Sequence, residues 1–477
     1  MADRAAGRWL WIALAAGTAL RLLAAWISAP VPGDDVGRLA TAVRWAEAPR
    51  WLGLAGLWPP FHTYLLGGLI RLVGDPSLAA RALGFVTTTL ALPVFYLAVR
   101  ELYGDVRRAA LATLLLALYW VHVSMAGSAY AEAPYALALF AAMLFAARSA
   151  RRPEGKTREA LFAGLAMAVA LMLRHEAKLV WLVVLVWLWR EAGRGAAWRY
   201  SLPSLATLIV QLVDPGGTGR GFLEDARIVA GMKLAEVTLH GSRLEALSRW
   251  IVMPAGSPSP IVVGLGLAGL WMSRRALTSD LWAWLFAIQS AVFLALTIYP
   301  GWQPYLRYLF LYVVCLLPHA ALALDSVARR RPSLAVALVA LAVLIQAVAW
   351  SKGRNEDRPL GWLPVYRPAP QQVVLDRWVR DSLGTQRVLS LEGYPQAWDV
   401  YASAIGVDRG RPLAQLRSVQ YDERLALAKG ARLEVAGYDV VLMDPASPLF
   451  TAAWESLPPG ARVGYRDPRL LIVRIGR

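Results

Sequence analysis

Two neighbouring carboxylates stand in Pro32-Gly33-Asp34-Asp35, just past the first long apolar run of the chain. An aspartate held in a partly dry cleft can take a proton from an attacking hydroxyl or amine. Adjacent acids raise one another's pKa, which suits a base working near neutrality, and such a pair could also hold a metal. A hydrated loop has the same composition, since Asp with Gly and Pro is common in turns. Trp58-Pro59-Pro60-Phe61-His62 follows, offering an imidazole to a phosphate or sugar behind two stiffening prolines. Glu132, in Ala131-Glu132-Ala133-Pro134, opens an apolar stretch. An ionisable residue there either marks a site or complements a helix dipole. Arg174-His175-Glu176, with Lys178, interrupts a long apolar stretch. The arginine could grip a phosphate through its planar fork, or the group could simply anchor a turn at the headgroups. Arg307-Tyr308 lies in a late polar turn, and Arg21 and Arg81 are single basic residues read as lying near the same surface. Snorkelling explains Arg307 as well as phosphate binding does.

The elements that must hold these residues are membrane helices. Of 477 residues, 57% are hydrophobic and 17% charged, and mean hydropathy is +0.44. Soluble domains sit near 45–50% apolar and about 25% charged. The 21 tryptophans suit headgroup level. A formal charge of +17 would suggest nucleic acid in a soluble chain, but the arginines cluster between apolar runs, which excludes that class of partner. Cys315 is the single cysteine, so no disulfide forms within the chain, and no Cys/His cluster points to zinc.

Candidate spans of about 20 apolar residues fall at 9–29, 81–100, 109–125, 131–148, 159–174, 177–190, 200–213, 259–273, 281–298, 305–324 and 333–350, about eleven in all. The first is too long, and followed by too poor a cleavage site, for a signal peptide. Arg4 and Arg8, Arg100 to Arg108, Arg148 to Arg158, Arg190 to Arg199, Arg274 with Arg275, and Arg329 to Arg331 fall in alternate connections. That places the N-terminus in the cytoplasm and the C-terminus outside. Asp34, His62, Glu132, Arg174, Glu176 and Arg307 then all reach the outer face.

Loop 30–80 carries the acidic pair and two interfacial helices, over 36–50 and 61–73. Segment 214–258 opens on Asp214-Pro215-Gly216-Gly217 and continues as an amphipathic helix. From 352 the composition becomes ordinary, with strand-like runs at 387–391, 439–443 and 470–473 and helical stretches at 371–383 and 421–430. The fold expected is a mainly α integral membrane protein over 1–351 with a small extracytoplasmic α/β domain over 352–477.

In this order the motifs resemble the GT-C superfamily of membrane glycosyltransferases, in particular the branch of protein O-mannosyltransferases and lipid A aminoarabinose transferases. The acidic pair after the first span is matched by Asp34-Asp35, and the Pro-Pro motif before an interfacial helix by Pro59-Pro60-Phe61-His62. Ala80-Arg81-Ala82-Leu83-Gly84, Glu132, Arg174-His175-Glu176 and Arg307-Tyr308 continue the series, so the match runs over about 10–325. Two departures stand out: Leu57 and Trp58 occupy positions where some relatives carry an acidic and a basic residue, and 352–477 shows no matching motif.

The resemblance implies a polyprenyl-phosphate sugar donor entering from the bilayer and an inverting displacement on the extracytoplasmic side. Asp34 would be the base and Asp35 the accompanying acid. His62, Arg81, Arg174, His175, Arg307 and Tyr308 would face the phosphate or sugar, with Glu132 and Glu176 supporting. The acceptor could be lipid, glycan or protein. No cofactor is demanded, although Asp34, Asp35 and Glu132 could hold Mg or Mn. The rival is a transporter or flippase of a lipid-linked substrate, for which charges at span centres and paired broken helices are expected.

Overall fold

The structure, a computed structural model, describes residues 2–27, 34–49, 59–152, 156–212, 260–298, 310–352, 386–391, 415–419, 421–445, 447, 449–466 and 470–475. Contacts divide the chain into two compact units, one of Met1–Ser28, Ala48–Leu66 and Arg81–Val365, the other of Ala29–Glu47, Gly67–Ala80 and Tyr366–Arg477.

The first unit is helical. Five described helices are long and apolar enough to cross a membrane: Gly7–Trp26 within α1 (Ala2–Ile27), α4 (Pro76–Tyr103), α7 (Glu132–Arg151), α12 (Leu281–Ile298) and α13 (Phe310–Arg330). α5 (Val106–Leu118) and Trp120–Gly127, which contains α6 (Trp120–Ser124), pass the same test only when taken together, and the two parts are bent by 59°. The expected run 109–125 is therefore bent at Tyr119 and not a straight helix. The runs at 159–174, 177–190 and 200–213 fall on α8 (Lys156–Leu171), α9 (Ala177–Ala192) and α10 (Arg194–Leu212), outside that criterion. α3 (Phe61–Val73), α11 (Pro260–Met272) and Pro332–Gln346 of α14 (Pro332–Lys352) are apolar but shorter.

Lipid is as apolar as leucine, so these helices associate by close packing and small residues. On α7, Ala133, Ala136, Ala142, Ala146 and Ala147 are all buried. Gly164 of α8 lies against the Tyr200 backbone of α10, and Gly269 of α11 against the His319 carbonyl of α13, leaving no room for a Cβ at either. Phe95 packs at a tilt against Phe140, with ring centroids 4.9 Å apart, and edge-on against Trp282 at 5.5 Å, tying α4, α7 and α12. The outward faces carry Trp11, Leu90, Trp189, Trp271 and Leu344, all exposed, as lipid contact requires.

Helix ends gather into two rims. At one, Arg152 pairs with Glu101, Arg107 Nη2 with Asp325 Oδ1 at 2.9 Å, and the Tyr103 hydroxyl donates to Asp280 Oδ1 at 2.7 Å. This rim collects Arg100, Arg107, Arg108, Arg148, Arg151, Arg152, Arg329 and Arg330. The starts of α4, α7 and α9 and the end of α8 lie at the other.

In the second unit, α2 (Asp34–Glu47) buries Leu39, Ala42, Val43 and Trp45, and Trp45 lies against Gly67 of α3. Toward the C-terminus, five strands order β2-β1-β3-β5-β4: β1 (Arg387–Ser390), β2 (Gln415–Ser418), β3 (Val440–Met443), β4 (Arg462–Arg466) and β5 (Leu471–Arg474). β1 pairs in parallel with β2 and β3, while β5 runs antiparallel to β3 and β4. Every residue of the central β3 is buried, as suits a strand covered on both faces. Leu389, Val441, Met443, Leu471 and Val473 share one core with Leu427 of α15 (Tyr421–Ala428) and Ala453 of α16 (Phe450–Glu455). Segments 214–258 and 371–383 lie outside the described residues.

Candidate active site

The rim opposite the arginines is built around the turn joining α8 to α9. Leu173 and Arg174 amides both donate to Ala170 O, closing α8, and Ala177 N donates to Arg174 O, opening α9. The turn projects Arg174 inward, where its guanidinium is buried. Nη1 pairs with Glu132 Oε1, Nη2 with Glu176 Oε1, and Nε donates to Glu176 Oε2 at 3.0 Å. Glu132 is the first residue of α7, where a carboxylate complements the helix dipole.

The Arg174 fork thus spans two acids from two elements. Burial pushes the Glu176 carboxyl up, but the Arg174 charge and hydrogen bonds outweigh it and hold the group at about 2. His175 is exposed and Lys178 Nζ stands 3.4 Å from its Nδ1.

α3 begins against this turn, with Phe61 N donating to Met172 O at 3.1 Å. The Pro59-Pro60 lead-in sets this entry, and Pro60 O accepts from Tyr64 N at 3.1 Å. His62, the second residue of α3, is buried. Arg81 sits in the second turn of α4, half-buried, with no ion pair or hydrogen bond among the described residues. Three residues on, Gly84 lies against the Met125 carbonyl, which a Cβ would approach to 2.5 Å. Tyr135 was not singled out by sequence. Its hydroxyl is buried near the Glu132–Arg174–Glu176 trio and makes no hydrogen bond among the described residues.

Asp34 and Asp35 are the first two residues of α2, so the acidic pair opens a helix and is not a free loop. Their side chains lie outside the described residues, as do Trp58, Arg307 and Tyr308. Among the described residues no three His, Cys, Asp or Glu side chains group as metal ligands, and Glu132 is committed to Arg174.

Arg21, read from sequence as a single basic residue near the outer membrane surface, is fully buried among the helices. Its Nη1 donates to Gly17 O at 2.9 Å and Ala117 O at 3.1 Å, and its Nη2 stands 2.5 Å from His122 Nδ1. Arginine only donates, so His122 Nδ1 accepts and its proton sits on Nε2. Gln346 Oε1 takes the Trp120 amide at 3.0 Å on the far side of the break. His122 and Gln346 were missed; their signal was a polar side chain inside an apolar run.

Residues 58–214 match the family model described as dolichyl-phosphate-mannose-protein mannosyltransferase. A search of curated protein sequences found no match. Among solved structures, the chain resembles ArnT from Cupriavidus metallidurans bound to undecaprenyl phosphate, with 16% identity over 98% of this chain and 97% of that one and a TM-score of 0.63. It also resembles the oligosaccharyltransferase AglB from Archaeoglobus fulgidus in complex with an inhibitory peptide and a dolichol-phosphate, with 14% identity, 92% and 69% coverage and a TM-score of 0.53. The arabinofuranosyltransferase AftD from Mycobacteria gives 15% identity, 98% and 42% coverage and a TM-score of 0.52.

Proposed function

We infer from its GT-C glycosyltransferase fold that this membrane protein transfers a sugar from a polyprenyl-phosphate carrier to an acceptor. The observation that carries the reading is the likeness over nearly the full length of both chains to a structure holding undecaprenyl phosphate. The family match over 58–214 supports it, because that stretch contains Pro59-Pro60, His62, Arg81, Glu132 and Arg174.

In the reaction proposed, Asp34 takes the proton of an acceptor hydroxyl or amine, with Asp35 beside it. The acceptor atom attacks the anomeric carbon as the bond from that carbon to the phosphate oxygen breaks, inverting the centre. The electron pair leaves on polyprenyl phosphate. Arg81 is proposed to take that phosphate, since its guanidinium makes no ion pair or hydrogen bond among the described residues. Arg307, Tyr308, His62 and His175 are proposed to complete the contacts to phosphate and sugar. Arg174 would act through the two acids it holds, Glu132 and Glu176, presenting them to sugar hydroxyls. A Mg or Mn ion on Asp34, Asp35 and Glu132 stays a proposal through which no step runs; activity with chelator and after metal replacement tests it. The site is proposed to face outward, with the N-terminus cytoplasmic and 352–477 shaping acceptor access. The acceptor class is lipid, glycan or protein.

Purified protein incubated with a panel of polyprenyl-phosphate sugars should release polyprenyl phosphate. Asp34→Asn should lower kcat by about 10²–10⁴, the usual range for loss of a general base. Full activity in folded Asp34→Asn and Asp35→Asn would falsify the assignment. A second reading, movement of a lipid-linked substrate across the bilayer, is favoured by the broken span with buried Arg21 and His122. Carrier crossing the membrane with its sugar still attached would support that reading instead.

A further inference from the structure

The arginine rim contains a cluster that the proposed chemistry does not use. Glu101, near the end of α4, is almost buried, and three guanidinia converge on its Oε1. Arg152 Nη2 pairs with it directly, Arg148 Nε stands at 3.6 Å and Arg100 Nη2 at 3.9 Å. Arg151 Nη2 caps the end of α4 through Leu102 O at 2.9 Å. One carboxylate cannot neutralise this group. Arg148 Nε, moreover, is buried with no hydrogen-bond acceptor among the described residues. Guanidinia crowded so closely repel one another unless an anion joins them.

The surroundings indicate what kind of anion. Beneath the charges lie rings, with Arg100 5.7 Å from the Tyr96 centroid and Arg148 5.7 Å from that of Phe145. Phe145 packs at 5.5 Å on Phe162 of α8, and Phe162 and Leu165 are exposed. α8 starts at this rim and rises about 1.5 Å per residue. Phe162 and Leu165 therefore descend from the charges into the apolar layer. Donors at the rim with an apolar track running down from them match a headgroup joined to acyl chains, not a free phosphate. Basic pockets between membrane helices hold lipid headgroups in this way.

We propose that Arg100, Arg148 and Arg152 bind the phosphodiester of an anionic phospholipid in the leaflet at this rim, with its acyl chains along Phe145, Phe162 and Leu165. The test is native mass spectrometry of the full-length protein with equimolar phosphatidylglycerol and phosphatidylcholine of matched chains. The wild type retains phosphatidylglycerol preferentially. Arg148→Gln/Arg152→Gln lowers that retention by about fivefold or more, as loss of charge-assisted forks requires. Glu101→Gln, which removes the competing carboxylate, keeps or raises it. Arg330→Gln/Arg331→Gln, at and just past the end of α13 with no ion pair to Glu101 among the described residues, leaves it unchanged. If the double variant does not fold, Arg152→Gln alone carries the comparison, since that side chain is half exposed. Unchanged retention in Arg148→Gln/Arg152→Gln overturns the proposal, as does an equal loss in both double variants. Displacement of the lipid by equimolar glycerol phosphate also overturns it, because the site would then read phosphate alone.

Discussion

Arg174 and Arg81 look alike in the sequence but differ in what they can do. Arg174 spends its fork on Glu132 and Glu176, whereas Arg81 has no acid beside it among the described residues. A charge-assisted contact to phosphate is worth about 1.5–3 kcal/mol. Arg81→Gln should therefore raise KM for the lipid donor about tenfold or more; an unchanged KM removes Arg81 from the phosphate. Glu176 yields a pH prediction. Its folded pKa of about 2 lies below the ordinary 4.5, so its contribution to stability is complete above 4.5 and fades as pH falls towards 2. The Tm gap between wild type and Glu176→Gln should be constant from neutrality down to about pH 5 and narrow below that. A gap that widens on acidification contradicts the pairing. The presence of Arg174 and Glu176 in one turn was legible because both interrupt an apolar run. Glu132's share of the same guanidinium was not, since 42 residues separate it from Arg174 and only packing unites them.

At the scale of elements, hydropathy located α3 and α7 closely but drew 109–125 as one helix. It could not do otherwise, because Tyr119 and Trp120 are neither proline nor glycine and the local sequence gives no reason to stop. The break is held from elsewhere. Arg21 of α1 takes the freed carbonyl of Ala117, and Gln346 of α14 takes the freed amide of Trp120. In a membrane a broken helix needs such partners, because no water reaches its open backbone groups. A cation at the C-terminal end of α5 also opposes the helix dipole. Arg21→Met leaves that carbonyl and His122 Nδ1 without donors, at about 1–3 kcal/mol for each orphaned group. Thermal unfolding in detergent should show a loss of at least about 2 kcal/mol, with part recovered in Arg21→Met/His122→Phe. A variant as stable as wild type would mean that the break needs no cap. The chain after the break leads through Met125–Gly127, packed on Gly84, to Glu132, so Arg21 also helps to place the start of α7.

Among the described residues of the helical unit, charge is sorted by rim. One rim gathers the arginines of the alternate connections, and the other carries Glu132, Arg174 and Glu176. That sorting was legible because the positive-inside rule depends on loop composition alone. Among the described residues five helices, and one bent pair taken together, meet the length and hydropathy of a crossing, while α8, α9 and α10 do not. The orientation proposed from the arginines can be tested directly, since the single cysteine, Cys315, is buried in α13 and shielded from labels. His175→Cys is an exposed position on the turn beside Arg174, and Arg330→Cys an exposed one on the arginine rim. In intact cells a membrane-impermeant maleimide should label His175→Cys and spare Arg330→Cys, and after permeabilisation it should label both. The reverse pattern would put the acidic rim in the cytoplasm. Labelling of neither before permeabilisation would place the turn beside Arg174 within the bilayer, where no soluble acceptor could reach it.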